Sequence, residues 1–191
     1  THPCLEGYTT GTGEFYLSYA ATHPGVYDLL DIGHYHPTEN VADKVASLLC
    51  FFDKVPLHVT RPMRWDSDHV ILFDDSIRDL AQEIVRCDAL DKAIIGLDYF
   101  DASINRVGAW VVGTRAMEKS LLFALLQPNK ELKELQDTYQ FSKKMMVSET
   151  VKTEPFGIVW DEYCRRQHVP TDAQCWPKVA EYEKNVQSKR D

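Results

Sequence analysis

Aspartate and histidine side chains stand at the ends of three predicted strands in this chain. The segments VYDLLDIGHYHP, VPLHVTRP and DKAIIGLDYF each contain a short apolar strand, and their polar ends are Asp31, His58 and Asp98. Carboxylates and imidazoles bind divalent ions, and they also act as acids and bases in catalysis. Strands that are parallel neighbours end at one edge of their sheet, so these three side chains are expected to meet there.

Three more candidate ligands follow the strand ends closely. His34 comes three residues after Asp31, and Asp66 and Asp68 lie after the second strand, within HVTRPMRWDSDHV. In an extended loop, side chains two residues apart point to the same side, so both carboxylates could reach one cation. The set contains no thiolate, which favours Mn²⁺, Co²⁺ or Mg²⁺ over a structural zinc site. Six such groups exceed the needs of one ion, so two ions are expected.

Each of these residues also has a purely structural interpretation. A strand-end aspartate such as Asp31 is more often a helix cap or turn former than a ligand. His58 could be a hydrogen-bonded core histidine, and the two loop aspartates could pair with Arg61 and Arg64. The GHYHP segment suggests the HxH motif of amidohydrolase barrels, but here it follows an earlier helix and precedes carboxylates. The coincidence of three strand ends with one acidic loop favours a metal site.

Alternating strands and helices must position these side chains. Apolar residues at helical spacing predict helices over GEFYLSYAATHPG, over 41–52, over DDSIRDLAQEIVRCDAL and over INRVGAWVVGTRAMEKSLLFALL, where Trp110 is expected in the core. The alternation indicates βαβ units in a parallel sheet. After Pro128 the chain is charged and helical, without a strand signal. We therefore predict an α/β region over 1–127 that carries the metal site, followed by a helical C-terminal extension over 128–191.

The composition limits the class of protein. The chain has 191 residues, of which 44% are hydrophobic and 11% aromatic, a globular composition. Its net charge of −8 argues against nucleic acid and anionic membrane surfaces as partners. No apolar run reaches the roughly 18 to 20 residues of a membrane span, and THPCLEGYTTG does not resemble a signal peptide. None of the five cysteines forms a CxxC pair, and Cys50 and Cys87 are expected to be buried, reduced thiols. A cytoplasmic protein is the resulting prediction.

Three segments carry a resemblance to a known family. DIGHYHPTE, LHVTRPMRWDSDHVILFDD and IIGLDYFDASINRVGAWVVGTRAM resemble L-rhamnose isomerases, and the match continues in order from EGYTTGTGEFYLSYA to the helical tail. The resemblance implies an α/β fold, the C-terminal part of a (β/α)8 TIM barrel. It also implies two divalent ions in a complete site, preferably Mn²⁺, with Co²⁺, Zn²⁺ or Mg²⁺ as alternatives.

The resemblance also implies roles for individual residues. It implies two ligand sets: Asp31, His58 and Asp98 for one ion, and His34, Asp66 and Asp68 for the other. It makes Asp98, Asp66 and Asp68 the candidate catalytic carboxylates, and it brings Trp65 and Phe100 near the sugar. The implied reaction interconverts L-rhamnose and L-rhamnulose by a metal-assisted hydride shift, with an enediol path through a carboxylate base as the rival. The implied partners are a small aldose substrate and further copies of the chain, in a tetramer.

The sequence departs from the family in one large respect. A closed eight-stranded barrel needs about 250 residues, and only three strand–helix units follow the leading helix here. In the family the first ion also takes a glutamate with a lysine nearby, both at positions that would fall before Thr1. Two alternatives therefore stay open. The chain could be a non-catalytic half-barrel that needs an N-terminal half-barrel chain to complete the site, or it could be an isomerase of a related aldose.

Overall fold

The computed structural model describes residues 11–36, 38–62, 68–101 and 103–190. The chain divides into two compact units, Thr1–Leu121 and Leu122–Asp191. From residue 11 to residue 125 the described chain alternates between helices and strands: α1 (Gly13–Thr22), β1 (Leu30–Asp31), α2 (Ala42–Leu49), β2 (Val55–Val59), α3 (Asp75–Arg86), β3 (Ala93–Leu97) and α4 (Arg106–Leu125). The predicted α/β alternation is confirmed.

The three strands form one parallel sheet in the order β1–β2–β3. Asp31 lies opposite His58, and His58 lies opposite Gly96. Residues at the same register of parallel strands share a face, and the side-chain period of a strand is two. Asp98 follows Gly96 by two residues, so the register places all three predicted strand-end residues on one face of the sheet.

The other face of the sheet is packed at its central strand, β2. On β2, Val55, Leu57 and Val59 are buried, whereas Pro56 and His58 are partly exposed on the opposite side. Helix α2 packs against β2 and α3. Helix α3 contributes a buried stripe that includes Ile77, Leu80, Ala81 and Ile84.

Helix α3 begins at a side-chain cap. The carboxylate of Asp74 accepts a hydrogen bond from the Ile77 backbone N–H, 3.2 Å away. An N-cap of this kind satisfies one of the backbone donors that the first turn leaves without a helical partner. The cap thereby fixes where the chain leaves the loop that follows β2.

Three predictions of burial were wrong. Cys50 is exposed because it caps the C-terminus of α2, beyond the last buried turn, and Cys87 is partly exposed at the C-cap of α3. Trp110 is 56% exposed, because the buried stripe of α4 runs through Ala109 and Ala116, and Trp110 lies outside that stripe. Helix α4 therefore carries hydrophobic residues outside its buried face as well as on it.

The described residues of the second unit form helices joined by turns, without a strand. Its helices are α5 (Asn129–Asp137), α6 (Phe141–Val151), α7 (Phe156–Arg166) and α8 (Asp172–Asn185), followed by a 3₁₀ turn, Gln187–Lys189. Trp160 and Cys164 are buried on α7, and the Trp160 indole N–H donates to Asp172, 3.2 Å away. A reciprocal capping box between Thr171 and Gln174 starts α8. In the part of the chain that the structure describes, no helix has both the length and the hydrophobicity needed to cross a membrane.

Candidate metal centre

Asp31, His58 and Asp98 converge at the carboxyl ends of the three strands. The Nδ1 atom of His58 lies 3.3 Å from Asp31 Oδ2 and 3.3 Å from Asp98 Oδ2. One potential ligand atom from each residue lies within 4.8 Å of the others. A cluster of this size and chemistry can hold one metal ion, and it follows directly from the parallel register.

The three side chains differ in their exposure to solvent. The Asp31 side chain is 8% exposed, whereas those of His58 and Asp98 are 42% and 53% exposed. His58 is therefore not a core histidine, which was the alternative interpretation of its apolar strand. The cluster has a buried carboxylate at its base and an accessible carboxylate at its rim, so a small molecule could reach Asp98.

Asp31 serves as a cap and a candidate ligand through different oxygens. Its Oδ1 accepts a hydrogen bond of 2.9 Å from the Gly33 N–H, which caps the 3₁₀ turn Ile32–His34. Its Oδ2 faces the histidines, since His34 Nε2 lies 3.4 Å away. The structural role of Asp31 and its proposed role as a ligand therefore do not compete.

Asp68 approaches the same 3₁₀ turn from the loop after β2. A Cβ atom added at Gly33 would lie 2.5 Å from Asp68 Oδ1 and 3.3 Å from Asp31 Oδ1. The missing side chain at Gly33 is thus what allows the two carboxylates to come together. The backbone carbonyl of Asp68 accepts a 2.9 Å hydrogen bond from the N–H of Phe100, whose side chain is 68% exposed.

Two candidate residues of this loop, Trp65 and Asp66, lie outside the described residues, as does Arg64. Arg61, at the base of the loop, donates from Nε to the carbonyl of Val70, 2.9 Å away. Its backbone forms an antiparallel bridge with His69. Arg61 therefore contributes to closing the loop.

A half-buried tyrosine, Tyr35, lies directly after the 3₁₀ turn. Burial, with the negative charge of Asp28 as the next cause, raises the pKa of Tyr35 to about 12. Lys44 lies over the Tyr35 ring, 4.7 Å from its centroid. The Tyr35 phenol is therefore neutral at physiological pH, and it acts as packing next to His34.

Sequence reasoning did not single out His69 and Asp101. His69 Nδ1 lies 3.7 Å from Asp101 Oδ2, and Asp101 Oδ1 accepts hydrogen bonds from the N–H and hydroxyl of Ser103, at 2.9 and 2.5 Å. These hydrogen bonds, helped by His69, lower the pKa of Asp101. The signal in the sequence was the Asp-x-Ser turn in FDASIN, which is common in loops and does not indicate a partner by itself.

The described side chains fit a divalent metal ion. They provide carboxylate oxygens and imidazole nitrogens, and this donor set suits Mn²⁺, Co²⁺ or Mg²⁺. Asp31 and Asp98 place two negative groups around one imidazole, and an added cation would offset their repulsion. Gly33 leaves the space that Asp68 Oδ1 occupies near the 3₁₀ turn. Among the described residues, the cluster that could share one ion consists of Asp31, His58 and Asp98, and it does not include Asp68 or His34.

Comparisons with known proteins point to one enzyme family. The family described as L-rhamnose isomerase (RhaA) matches residues 4–190. An L-rhamnose isomerase of Mannheimia succiniciproducens is 47% identical over 186 residues, and those of Yersinia pestis and Yersinia pseudotuberculosis are 46% identical over 185 residues. Each alignment covers 97% of this chain and 44% of the relative.

The chain therefore spans less than half the length of the curated relatives it matches. The match nevertheless extends over nearly the whole of the present sequence, and it includes all three strand ends and both compact units. The chain belongs to the L-rhamnose isomerase family.

Proposed function

We propose that this chain forms the metal-binding part of an aldose–ketose isomerase that interconverts L-rhamnose and L-rhamnulose. The observation that carries the proposal is the convergence of Asp31, His58 and Asp98 at three adjacent strand ends. The names of the relatives supply the substrate. Because the chain covers only part of those relatives, the activity of the chain is itself part of the proposal.

The proposed ligands form two sets: Asp31, His58 and Asp98 for one ion, and His34, Asp66 and Asp68 for the other. Mn²⁺ is the proposed metal, from the donor chemistry and the resemblance. When bound, a divalent ion at such a centre supplies positive charge that polarises the carbonyl and hydroxyl oxygens of a sugar.

The residues of the chain have separate tasks in this proposal. Isomerisation moves a hydrogen from C2 to C1 and a proton from O2 to O1, so it consumes no oxidant or reductant. Asp98 is the accessible carboxylate, and it is the proposed acid–base group that takes the O2 proton and returns it to O1. Asp31 holds His58 from the buried side. The exposed ring of Phe100 offers apolar contact to the sugar.

The hydrogen transfer between the two carbons is proposed as a hydride shift. In this route the C2 hydrogen migrates with its electron pair, and it does not exchange with water. An enediol route would pass the hydrogen through a carboxylate base as a proton. Deuterium incorporation at C1 during turnover in D₂O separates the two, since only the enediol route introduces solvent deuterium.

The test is Mn²⁺-dependent conversion of L-rhamnose to L-rhamnulose by the purified 191-residue chain, with its assembly size recorded in the same sample. Turnover that disappears in Asp98→Asn and persists in Asp53→Asn is the expected result. Asp53 is a suitable control, because it is an exposed carboxylate before β2 with a tyrosine as its partner. Turnover without added metal, or in the Asp98→Asn variant, would contradict the proposal. A tetramer is the expected assembly.

A second candidate function is a half-barrel subunit that binds metal and needs another chain for turnover. The observation that favours it is the exposure of Ile94, which is 56% exposed opposite Pro56 on the face that carries His58. An accessible apolar face of a sheet is a candidate surface for packing against another protein segment. This candidate predicts Mn²⁺ binding without turnover by the chain alone, and turnover once an N-terminal half-barrel from a relative is added.

An isomerase of a related aldose would share the same site. The metal centre recognises hydroxyl and carbonyl oxygens that all aldoses possess, so it does not by itself select L-rhamnose. A panel of aldoses assayed at equal concentration distinguishes this candidate. A higher kcat/KM for a sugar without the 6-methyl group would favour it.

A further inference from the structure

We propose that Asp101 is a positioning residue that acts through His69 to hold Asp68 beside Gly33, near Asp31. Asp101 does not belong to either proposed ligand set. It lies in the loop after β3, whereas His69 and Asp68 belong to the loop after β2. The inference rests on the proposed function where it treats Asp68 as a ligand.

The base of the loop after β2 is fixed by its own hydrogen bonds. The Arg61 N–H donates to the His69 carbonyl at 3.0 Å, and the Thr60 hydroxyl donates to the same carbonyl at 3.2 Å. Thr60 is completely buried. The backbone of His69 is therefore anchored directly to the end of β2.

The other side of the loop is held by the loop after β3. The Phe100 N–H donates to the carbonyl of Asp68, and the Asp101 carboxylate faces the His69 ring. Both contacts join neighbouring residues of one loop to neighbouring residues of the other. They form a brace between the loop that carries Asp68 and the loop that carries Asp98.

Asp101 is itself fixed before it reaches His69. Its Oδ1 is used by two hydrogen bonds from Ser103, which leaves Oδ2 directed to His69 Nδ1. The side chain of Asp101 is 21% exposed and that of His69 is 36% exposed. Neither side chain is fully exposed, so the contact lies at the partly covered junction of the two loops.

The placement of Asp68 has little tolerance. Its carboxylate occupies the space that a side chain at position 33 would fill, next to Asp31 Oδ1 and the Thr60 methyl group. A shift of the loop away from this space would separate Asp68 from Asp31. A residue that holds the loop can thus affect the metal without touching it.

The first test measures, in the metal-free chain, how firmly the two loops are held together. In Asp101→Asn the Asn oxygen can still accept from Ser103, while the negative charge that faces His69 is lost. We expect faster hydrogen exchange at the amides of Phe100 and Arg61 in this variant, measured by NMR, with little change at the core amides of β2. Asp53→Asn is the matched control, since it removes one exposed carboxylate at the opposite end of the sheet. His69→Gln approaches the same contact from the other side.

The second test measures metal binding by Mn²⁺ titration with electron paramagnetic resonance. We expect the ion proposed to bind Asp68 to be held about 10- to 100-fold more weakly in Asp101→Asn, as is typical when a group behind a ligand is removed. The other ion should bind as in the wild type. The double variant with His69→Gln should lose little more than either single variant, because both remove one contact.

The outcomes separate this inference from the proposed function. Unchanged exchange at Phe100 and Arg61 would overturn the brace, whatever the metal does. Faster exchange with unchanged Mn²⁺ affinity would overturn the positioning role. Faster exchange in a chain whose wild type binds no Mn²⁺ would support the brace and overturn the proposed function. Faster exchange with selective loss of one ion supports both.

Discussion

The two ends of the parallel sheet use polar residues differently. At the carboxyl end, oxygens of Asp31 and Asp98 lie on either side of one imidazole, that of His58. At the amino end, the Tyr27 hydroxyl donates to Asp53 at 2.7 Å, and Lys54 donates to a backbone carbonyl at 2.9 Å. One end gathers carboxylates around a shared space, whereas the other matches a carboxylate with a neutral donor.

This difference favours the carboxyl end of the sheet as the location of a metal site. The Tyr27–Asp53 hydrogen bond lowers the pKa of Asp53 and raises that of Tyr27, so it stabilises the charged carboxylate and the neutral phenol together. A groove of about 270 Å³ opens beside this pair, between His23 and Phe52. Because the carboxylate beside this groove already accepts a hydrogen bond from Tyr27, the groove alone does not indicate a metal site. The carboxyl end brings like charges together, an arrangement that a cation would stabilise.

The largest expected effect is that of removing the buried carboxylate at the carboxyl end. Loss of groups behind metal ligands typically weakens binding about 10- to 100-fold, so loss of the ligand in Asp31→Ala should weaken Mn²⁺ binding by at least about 100-fold. Calorimetric titration of the purified chain measures this change. Asp53→Ala at the amino end should leave the affinity unchanged.

The comparison between the two ends would fail if both variants bound Mn²⁺ equally well. Asp31→Ala also removes the cap of the 3₁₀ turn, so its unfolding must be recorded without metal. Asp31→Asn keeps an oxygen that can accept from Gly33, and it tests the charge separately. Weak metal binding in Asp31→Asn, with unchanged thermal unfolding, would assign the effect to the ligand.

The next effect in size is expected at Gly33. In Gly33→Ala the new methyl group would meet Asp68 Oδ1 at 2.5 Å and the Thr60 methyl group at 3.1 Å. The Asp68 carboxylate can rotate away, so the fold should tolerate the change while one ion binds about 10- to 100-fold more weakly. Mn²⁺ titration monitored by electron paramagnetic resonance resolves the two ions. Gly157→Ala is the matched control, because a methyl group there meets nothing within 4 Å.

The outcome at Gly33 also tests how the two ligand sets are related. Selective loss of one ion would mean that the glycine sets the approach of Asp68 alone. Equal loss of both ions would mean that the methyl group also displaces Asp31, whose Oδ1 lies 3.3 Å from the added atom. Unchanged binding of both ions would contradict the placement of Asp68.

Much of this arrangement follows from local sequence patterns. The alternation of strands and helices and the meeting of Asp31, His58 and Asp98 both follow from apolar periodicity and from the geometry of parallel strands. These features depend on short-range spacing and on one rule of topology. The spacing can be seen in a single sequence, and the rule of topology applies to any parallel sheet.

Other features depend on contacts that a single sequence does not display. The brace between His69 and Asp101 joins two loops whose relative position is set by the packed sheet beneath them. The need for glycine at position 33 is visible only once Asp68 is seen beside it. Cys50 and Trp110 were wrongly predicted to be buried, because the prediction used hydrophobicity alone. Where a helix ends, and which of its faces is buried, depend on contacts that the sequence does not show.

A moderate effect on stability is expected just beyond the carboxyl end. The hydroxyl of Tyr99 donates to the carbonyl of Ala109 at 3.2 Å, and its ring lies over Gly113 so closely that a Cβ there would overlap it. Gly113→Ala should therefore destabilise the chain by about 1–3 kcal/mol, as overpacking usually does. Chemical unfolding without metal measures the change.

Tyr99 directly follows Asp98, so the same variant also bears on the metal centre. Gly113→Ala combined with Tyr99→Leu relieves the overlap, and the double variant should recover part of the lost stability. If Gly113→Ala lowered Mn²⁺ affinity as well, the packing of Tyr99 would contribute to the position of Asp98. Unchanged stability in the single variant would contradict the close approach of the ring to α4.

The smallest effect is expected in the pH dependence of folding stability, to which Asp28 and Asp53 contribute with opposite signs. Burial raises the pKa of Asp28 above its usual 3.8, with a smaller opposing effect of Lys44, whereas the hydrogen bond from Tyr27 lowers the pKa of Asp53 below 3.8. The folded state holds the Asp28 proton more tightly than the unfolded state, so this residue lowers stability as pH rises from about 3.8 through its folded pKa. Asp53 contributes stability above about 3.8 that is lost as pH falls through its lower folded pKa. Relative to the wild type, Asp28→Asn should therefore gain stability with rising pH and Asp53→Asn should lose it. Unfolding of the metal-free chain between about pH 3 and pH 7 measures both differences, and slopes of the same sign would mean that burial does not separate these two carboxylates.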